Sequence, residues 1–437
     1  MTSAVESRDT PAAAPGFGGA VARLSGASGL LVLMSIVTGP VLARALGPEG
    51  RGELSAILAI FAFAPLVLDF GLGDFVARER AVGTRPAAVT TAMLLAMGFS
   101  VIGIALAIPV AELVGQGRPV VEQFVRIGLL ASPLLVLGWM LIALARGAQR
   151  WPIIYRWRII NALGGGILII GLALFGLLTV ESAVIATMGA SLAGLAGALP
   201  VLSGIGRLRF NRAFVRPALK FGARSWIIML SAASNFRLDQ VVMAAVVPSE
   251  ELGHYAVAVS VTGIAFVFVG SVNTALLPRV AQEGANVVPY IARMSVLALS
   301  VFLGAMALSA PVLVPLIFGE DFREAVVLLE ILALGMLFFG LSAVLSGALQ
   351  GHGRPQAVAR PQVLGLAITL VGLAVVLGPL GALGAALVSV VAYAVVLIGV
   401  LRASVREFEV PLRSLVVPRW EDVRRLATTS LRRRGRT

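Results

Sequence analysis

The sequence predicts an all-α integral membrane protein with about 12 transmembrane helices, arranged as two pseudo-symmetric six-helix lobes around a central cavity. Three observations carry that expectation. Of 437 residues, 58% are hydrophobic and 13% are charged, with a mean hydropathy of +0.96. No water-soluble domain of this size sustains that balance. Twelve apolar runs are long enough to cross a hydrocarbon core of roughly 30 Å, which takes about 20 helical residues. Landmarks of the first half also return in the second, about 200 residues on. The runs do not alternate polar with apolar residues, as the strands of a lipid-facing barrel must. Abundant Gly and Ala inside them predict close helix packing.

Taken in order, residues 1–19 form a polar, Pro/Ala-rich cytoplasmic N-terminus expected to be disordered. Spans 1 and 2 (20–44 and 53–77) flank Gly47-Pro48-Glu49-Gly50-Arg51-Gly52. This turn is answered by Val247-Pro248-Ser249-Glu250-Glu251-Leu252-Gly253 between spans 7 and 8 (219–246 and 253–277). Ala77-Arg78, closing span 2, is answered by Pro278-Arg279 after span 8. Gly115-Gln116-Gly117-Arg118 separates spans 3 and 4 (88–111 and 123–145). Its counterpart Gly319-Glu320-Asp321-Phe322 separates spans 9 and 10 (290–316 and 324–348). Gly147-Ala148-Gln149-Arg150 after span 4 matches Gly347-Ala348-Leu349-Gln350 closing span 10. Spans 5 and 6 (153–177 and 182–204) complete an N-lobe over 20–204. A basic cytoplasmic linker, 205–218, leads to the C-lobe over 219–402, which ends with spans 11 and 12 (357–378 and 381–401). A basic tail, 403–437, follows, and within it Trp420-Glu421-Asp422-Val423-Arg424-Arg425-Leu426 could form a short surface helix. Two six-helix repeats predict alternating access, with cargo held between the halves.

Charge sets the orientation. Counting the segments before span 1 and after spans 2, 4, 6, 8, 10 and 12, one side carries 29 of the 35 Lys and Arg residues. The other side has five: Arg44, Arg51, Arg118, Arg126 and Arg323. The positive-inside rule therefore predicts cytoplasmic termini. The net charge of +13 reflects topology and contact with anionic membrane lipids, not nucleic acid, because it is spread over seven segments. Cysteine is absent, which excludes disulfides and thiolate chemistry. His254 and His352 fall in loops or at helix ends on opposite sides, so no metal site is expected. No P-loop is present, so ATP-driven transport by this chain alone is not expected.

Short motifs recur in a definite order: Ala43-Arg44-Ala45-Leu46-Gly47-Pro48 running to Gly52, Gly71-Leu72-Gly73 with Arg78, and Asn235-Phe236-Arg237-Leu238-Asp239-Gln240. Glu251-Leu252-Gly253-His254-Tyr255-Ala256-Val257-Ala258 and Leu277-Pro278-Arg279 follow. In order and spacing the chain resembles Wzx-type polysaccharide flippases of the MOP superfamily, whose relatives include MATE exporters and the lipid II flippase MurJ. That resemblance implies a multi-pass protein of the bacterial cytoplasmic membrane. Its cargo would be an undecaprenyl-diphosphate-linked oligosaccharide, and a polymerase and other polysaccharide-assembly proteins would be its partners. MurJ-like proteins usually carry two further C-terminal helices, which argues against lipid II. The acidic residue characteristic of MATE helix 1 is missing, since 24–43 contains no Asp or Glu.

A diphosphate needs a cationic path, and Arg suits it through its bidentate planar fork. The repeat pairs Arg23 with Arg224 and Arg78 with Arg279, each at an offset of 201. With spans 1, 2, 7 and 8 facing the cleft, as the resemblance implies, these four would ring its cytoplasmic mouth. They equally satisfy the orientation rule as ordinary inner-side arginines. Asp69 in span 2 and Arg237 and Asp239 in span 7 lie near mid-membrane, where a charge costs about 2.5–3.5 kcal/mol and usually faces protein or water. Asn235 shares a helix face with Asp239, whereas Arg237 points elsewhere, with Asp69 as a candidate partner. Arg237, Asn235 and Asn273 are candidate cargo contacts; Asp69 and Asp239 serve either Na⁺ or H⁺ coupling or helix pairing. Arg126 and Glu330, equivalent at an offset of 204, are candidate partners in an outer gate. Pro65, Pro109, Pro133 and Pro311 mark bends. Trp139, Trp151, Tyr155, Trp157 and Trp226 fit an interfacial belt.

Two other classes compete with the flippase. A MATE-like cation-coupled exporter of small amphiphiles would favour an acidic cavity over an arginine mouth. A membrane glycan polymerase or ligase generally carries a large outer loop with catalytic His or carboxylates, and every outer loop here is roughly a dozen residues or shorter. The chain is therefore expected not to be an enzyme and to need no cofactor.

Overall fold

The computed structural model describes residues 17–83, 86–205, 209–283 and 285–419. The terminal stretches 1–16 and 420–437, and the side chains of Arg23, Asn235, Arg237 and Arg279, lie outside the described residues, and with them the proposed tail helix over 420–426.

Every regular element among the described residues is helical. Helix α1 (Phe17–Leu68) breaks at Gly47, whose φ of 67° is in the left-handed region, so its two arms carry spans 1 and 2. A second break at Phe70 and Gly71 separates it from α2 (Leu72–Val82). Helices α3 (Pro86–Ala105) and α4 (Ala107–Gly115) form the third rod. The fourth is α5 (Pro119–Leu130) with α6 (Ser132–Gly147), bent by 56°. Pro133 lies at this bend because it has no N–H for the helical ladder. The fifth joins α7 (Trp151–Ile159) to α8 (Gly165–Leu174) through a π-helical turn. The sixth, α9 (Val180–Ala198), opens on a capping box between Thr179 and Ser182.

The second half runs through α10 (Val215–Ala244), then α11 (Ser249–Thr262) with α12 (Ala265–Glu283), then α13 (Val288–Phe318) and α14 (Ala325–Gly351). Helix α15 (Pro355–Phe408) breaks at Gly381 (φ 51°). Contacts between residues 361 and 399, 372 and 388, and 376 and 384 are symmetric about the break, so its arms form a tight antiparallel hairpin. Twelve rods result, as expected. Seven described helices are individually long and apolar enough to cross a membrane, or eight with the bent fourth rod.

Three boundaries differ from expectation. Span 2 is not continuous, and Asp69 sits in its break rather than within a helix. Helix α10 begins inside the expected linker, while the preceding segment is pinned to α3. There Thr90 donates to the Arg209 carbonyl at 2.7 Å and Thr91 accepts from the Asn211 N–H at 3.0 Å. The last rod runs on to Phe408, and α16 (Leu412–Val416) folds back on the C-lobe. Buried Arg293 donates to the Ser414 carbonyl at 2.7 Å, which removes this segment from the free tail.

The buried apolar residues show how the halves meet. One cluster takes side chains from both halves, including Leu54, Ile57 and Val125 with Met243, Tyr255 and Phe322. It lies at the end bearing Gly47 and Pro248. Elsewhere the core divides. One cluster belongs to α2, α3 and α6 with neighbours and Ala218, and another to the helices of the second half. The lobes thus share one core at one end and have largely their own cores at the other, where α10 still packs on the first half.

Candidate functional site: the seam between the lobes

At the fused end α1 crosses α11 backbone to backbone. A Cβ on Gly52 would fall on the Ser249 carbonyl, and a Cβ on Gly253 would fall on the Pro48 carbonyl. Each contact is the image of the other under an offset of 201, which makes the crossing a pseudo-two-fold contact like an isologous dimer interface. The sequence repeat is therefore a physical symmetry here. Only Gly permits this approach, because any side chain would hold the helices apart.

Three arginines of the first half clasp the second half across this crossing. Arg44 donates to the carbonyls of Ile317, at 2.9 Å, and Leu316. Arg51 reaches Ser260 Oγ at 3.3 Å. Arg118, at the start of α5, donates to Ser249 Oγ and, at 3.1 Å, to the Ala244 carbonyl. Burial lowers the pKa of Arg118 from its ordinary value, and nearby Glu53 and Glu49 oppose that shift. All the named acceptors across the seam are neutral, so water can replace them when the lobes separate. Sequence reasoning passed over these residues, although a signal existed: they are three of the five arginines on the arginine-poor side. The pair expected there does not form. Arg126 is bonded to Glu122 one turn away, and Glu330 is exposed, with no ion pair between Arg126 and Glu330.

Toward the opposite end α2 packs on α10. Gly71 and Gly222 touch, Trp226 Nε1 donates to the Leu66 carbonyl at 3.2 Å, and Phe70 stacks at 5.2 Å on Trp226. Trp226 thus belongs to the seam and not to an interfacial belt. The guanidinium of Arg78 lies 5.2 Å from the centre of the Phe221 ring, a cation–π contact that leaves it exposed. Arg224, one turn from Phe221, is exposed as well. Both mouth arginines that are described therefore border the same seam. Asp74 binds across it by accepting from Ser225 Oγ, and within its own half it pairs with Arg146 at 3.4 Å.

The remaining candidates have local partners. The Asp69 carboxylate accepts from the Gly73 N–H at 3.0 and 3.2 Å, so it caps the first turn of α2. Asp239 is buried and bonded to Tyr255 of α11. It accepts from the hydroxyl of Tyr255 and, at 2.8 Å, from the N–H of Gln240. Asn273 donates to the Ala343 carbonyl at 3.2 Å and holds α12 to α14. His254 is buried within α11 rather than in a loop, 2.9 Å from the Asp321 carbonyl; His352 ends α14 against Phe408. Among the described residues no group of three or more His, Cys, Asp or Glu side chains is placed to hold a metal ion.

Residues 21–283, more than half of the chain, match the model of the family described as polysaccharide biosynthesis protein. The chain belongs to that family. A second family model, MatE, matches residues 226–376 of the chain. No curated protein matches it by sequence. Among solved structures it is similar to the lipid II flippase MurJ in an inward closed conformation. The identity is 13%, the TM-score 0.73, and the match covers 90% of this chain and 89% of that one. It is also similar to a multidrug resistance MATE family transporter in an inward-facing conformation, at 15% identity and a TM-score of 0.67, covering 89% and 98%. A MOP superfamily transporter from Pyrococcus furiosus matches at 16% identity and a TM-score of 0.55, covering 90% and 96%. The all-helical membrane fold expected from the sequence holds, and the family match agrees with the polysaccharide-related resemblance of the motifs.

Proposed function

We propose that this protein is a flippase that carries undecaprenyl-diphosphate-linked oligosaccharide across the bacterial cytoplasmic membrane by alternating access, for surface polysaccharide assembly. The observation that carries the reading is the family match over 21–283, which spans the whole first half and the α1, α2, α10 and α11 seam. In this cycle the sealed crossing at Gly52 and Gly253 is the outer gate. Arg78 and Arg224, with Arg23 and Arg279, form the cytoplasmic mouth that takes the diphosphate. The charge asymmetry supports a cytoplasmic side for that mouth and both termini, where anionic lipids would border the basic segments. A polymerase would consume the flipped product.

Arg237, Asn235 and Asn273 remain proposed cargo contacts. Coupling to a Na⁺ or H⁺ gradient at Asp69 or Asp239 is a further part of the proposal. Both carboxylates already accept hydrogen bonds, so an ion there must displace or share them.

The match of 226–376 to the MatE model favours a second reading, export of small amphiphilic cations. Proteoliposomes separate the two. The flippase reading expects translocation of a fluorescent undecaprenyl-diphosphate oligosaccharide, at least ten-fold weaker in the Arg78→Ala/Arg224→Ala double variant. Efflux of tetraphenylphosphonium without movement of any glycolipid would establish the exporter instead.

A further inference from the structure

Three of the five tryptophans lie together. Trp139 of α6 and Trp151 and Trp157 of α7 line one cavity of about 240 Å³. Asp69 and Asp74 at the start of α2 share it with Arg146 of α6 and Arg158 of α7. Met229 of α10 adds a lining residue from the second half, so the cavity borders the seam. Asp69 is 1% exposed and is one of the residues that line this cavity. A belt at the lipid surface does not account for indoles grouped around buried charge.

The balance of charges selects the ligand class. Two carboxylates and two guanidinium groups make the walls neutral overall. A cation would gain from the indole faces and the acids but would face two arginines. An anion would face two acids. A neutral polyhydroxylated ring meets neither conflict. Its hydroxyls donate to carboxylate oxygens and accept from guanidinium N–H groups. Its C–H faces cover indole, as apolar walls with few placed polar groups do in small-ligand sites. The volume accommodates a single sugar ring.

Position supports the same ligand. Arg78 lies one helical turn beyond Asp74 on the same face of α2, about 6 Å along the axis. A diphosphate at Arg78 would leave the first sugar beside Asp74 and the tryptophans. We propose that this cavity is a saccharide subsite, holding a neutral sugar of the cargo by indole stacking and by hydrogen bonds to Asp69, Asp74, Arg146 and Arg158. The inference rests on the flippase reading for its cargo.

The test uses the full chain in nanodiscs and intrinsic tryptophan fluorescence. The probes are a polyprenyl-diphosphate disaccharide, the same polyprenyl diphosphate without sugar, and tetraphenylphosphonium. Only the disaccharide lipid should change the emission. Trp139→Ala, at a 37% exposed position with little bearing on folding, should weaken that binding at least five-fold, and Trp139→Phe should restore most of it. Equal responses to the sugar-bearing and sugar-free lipids, or full binding by Trp139→Ala, would overturn the subsite while leaving the flippase standing. A response to tetraphenylphosphonium alone would overturn the subsite too. Failure of the flippase reading itself is recorded separately, as absent glycolipid translocation in proteoliposomes.

Discussion

Asp239 shows how far a single charged residue can be read. Its place in span 7 marks it as functional or structural, since a carboxylate in that setting is expensive unless paired. The fold settles its partner: Tyr255, fully buried, donates its hydroxyl to the carboxylate, and Ser389 Oγ lies 3.5 Å from that hydroxyl. The contact ties α10, α11 and the second arm of α15 together within one lobe. Tyr255→Phe removes the donor and leaves a buried acceptor short of a partner, a loss of about 1–3 kcal/mol. A lowered melting temperature in detergent is expected, with the fold retained. An unchanged melting temperature would show that the bond contributes nothing and free Asp239 for an ion.

At the scale of elements, the glycine breaks decide the architecture. Gly381 illustrates the physics, for it meets two demands at once. Its φ of 51° is one that other L-residues adopt at a cost of about 1–2 kcal/mol. A Cβ there would also collide with the Glu251 carboxylate, which accepts from the Ala382 N–H at 2.9 Å. Glu251 thus caps the second arm of α15 from a different helix, a task that Thr179 performs locally in the first half. Gly381→Ala and Glu251→Ala should each lower thermal stability by about 1–3 kcal/mol, with the double variant less than additive because both changes touch one contact. Full additivity in the melting data would mean the cap and the turn are independent. Elements were well read where the pattern is long and apolar. They were misread at Asp69 and after residue 401. A break closed by a side-chain cap, and a segment held by buried Arg293, leave no mark on hydropathy.

For the whole molecule, the core is shared at one end and largely divided at the other, an arrangement that supports the proposed rocking of the lobes. Closure depends on the Gly52 and Gly253 crossing. Gly52→Val places a branched side chain against the Ser249 carbonyl, where neither backbone can yield. The sealed end should then stay parted. Spin labels at positions 126 and 330, both in the fused half of the molecule and not bonded to each other, should show a longer distance than in wild type. Glycolipid translocation should fall at least ten-fold. An unchanged label distance with normal transport would show that the crossing is not the gate.

The sequence by itself determined the membrane class, the twelve rods, the two-fold repeat and the family. These follow from properties local to each segment or conserved between the halves: hydropathy over about 20 residues, the side on which arginines fall, and turn residues returning at fixed offsets. Only the tertiary structure decided which residues meet. Arg126 chose Glu122 over Glu330, because a partner one turn away on the same helix is already in reach. Arg44, Arg51 and Arg118 became the clasps, through neutral acceptors that no charge pattern reveals. Trp139, Trp151 and Trp157, each plausible at a lipid surface, instead line one cavity shared with Asp69, Asp74, Arg146 and Arg158. The angle at which each helix presents its faces is set by packing against neighbours far away in the chain, and period and composition carry no record of it.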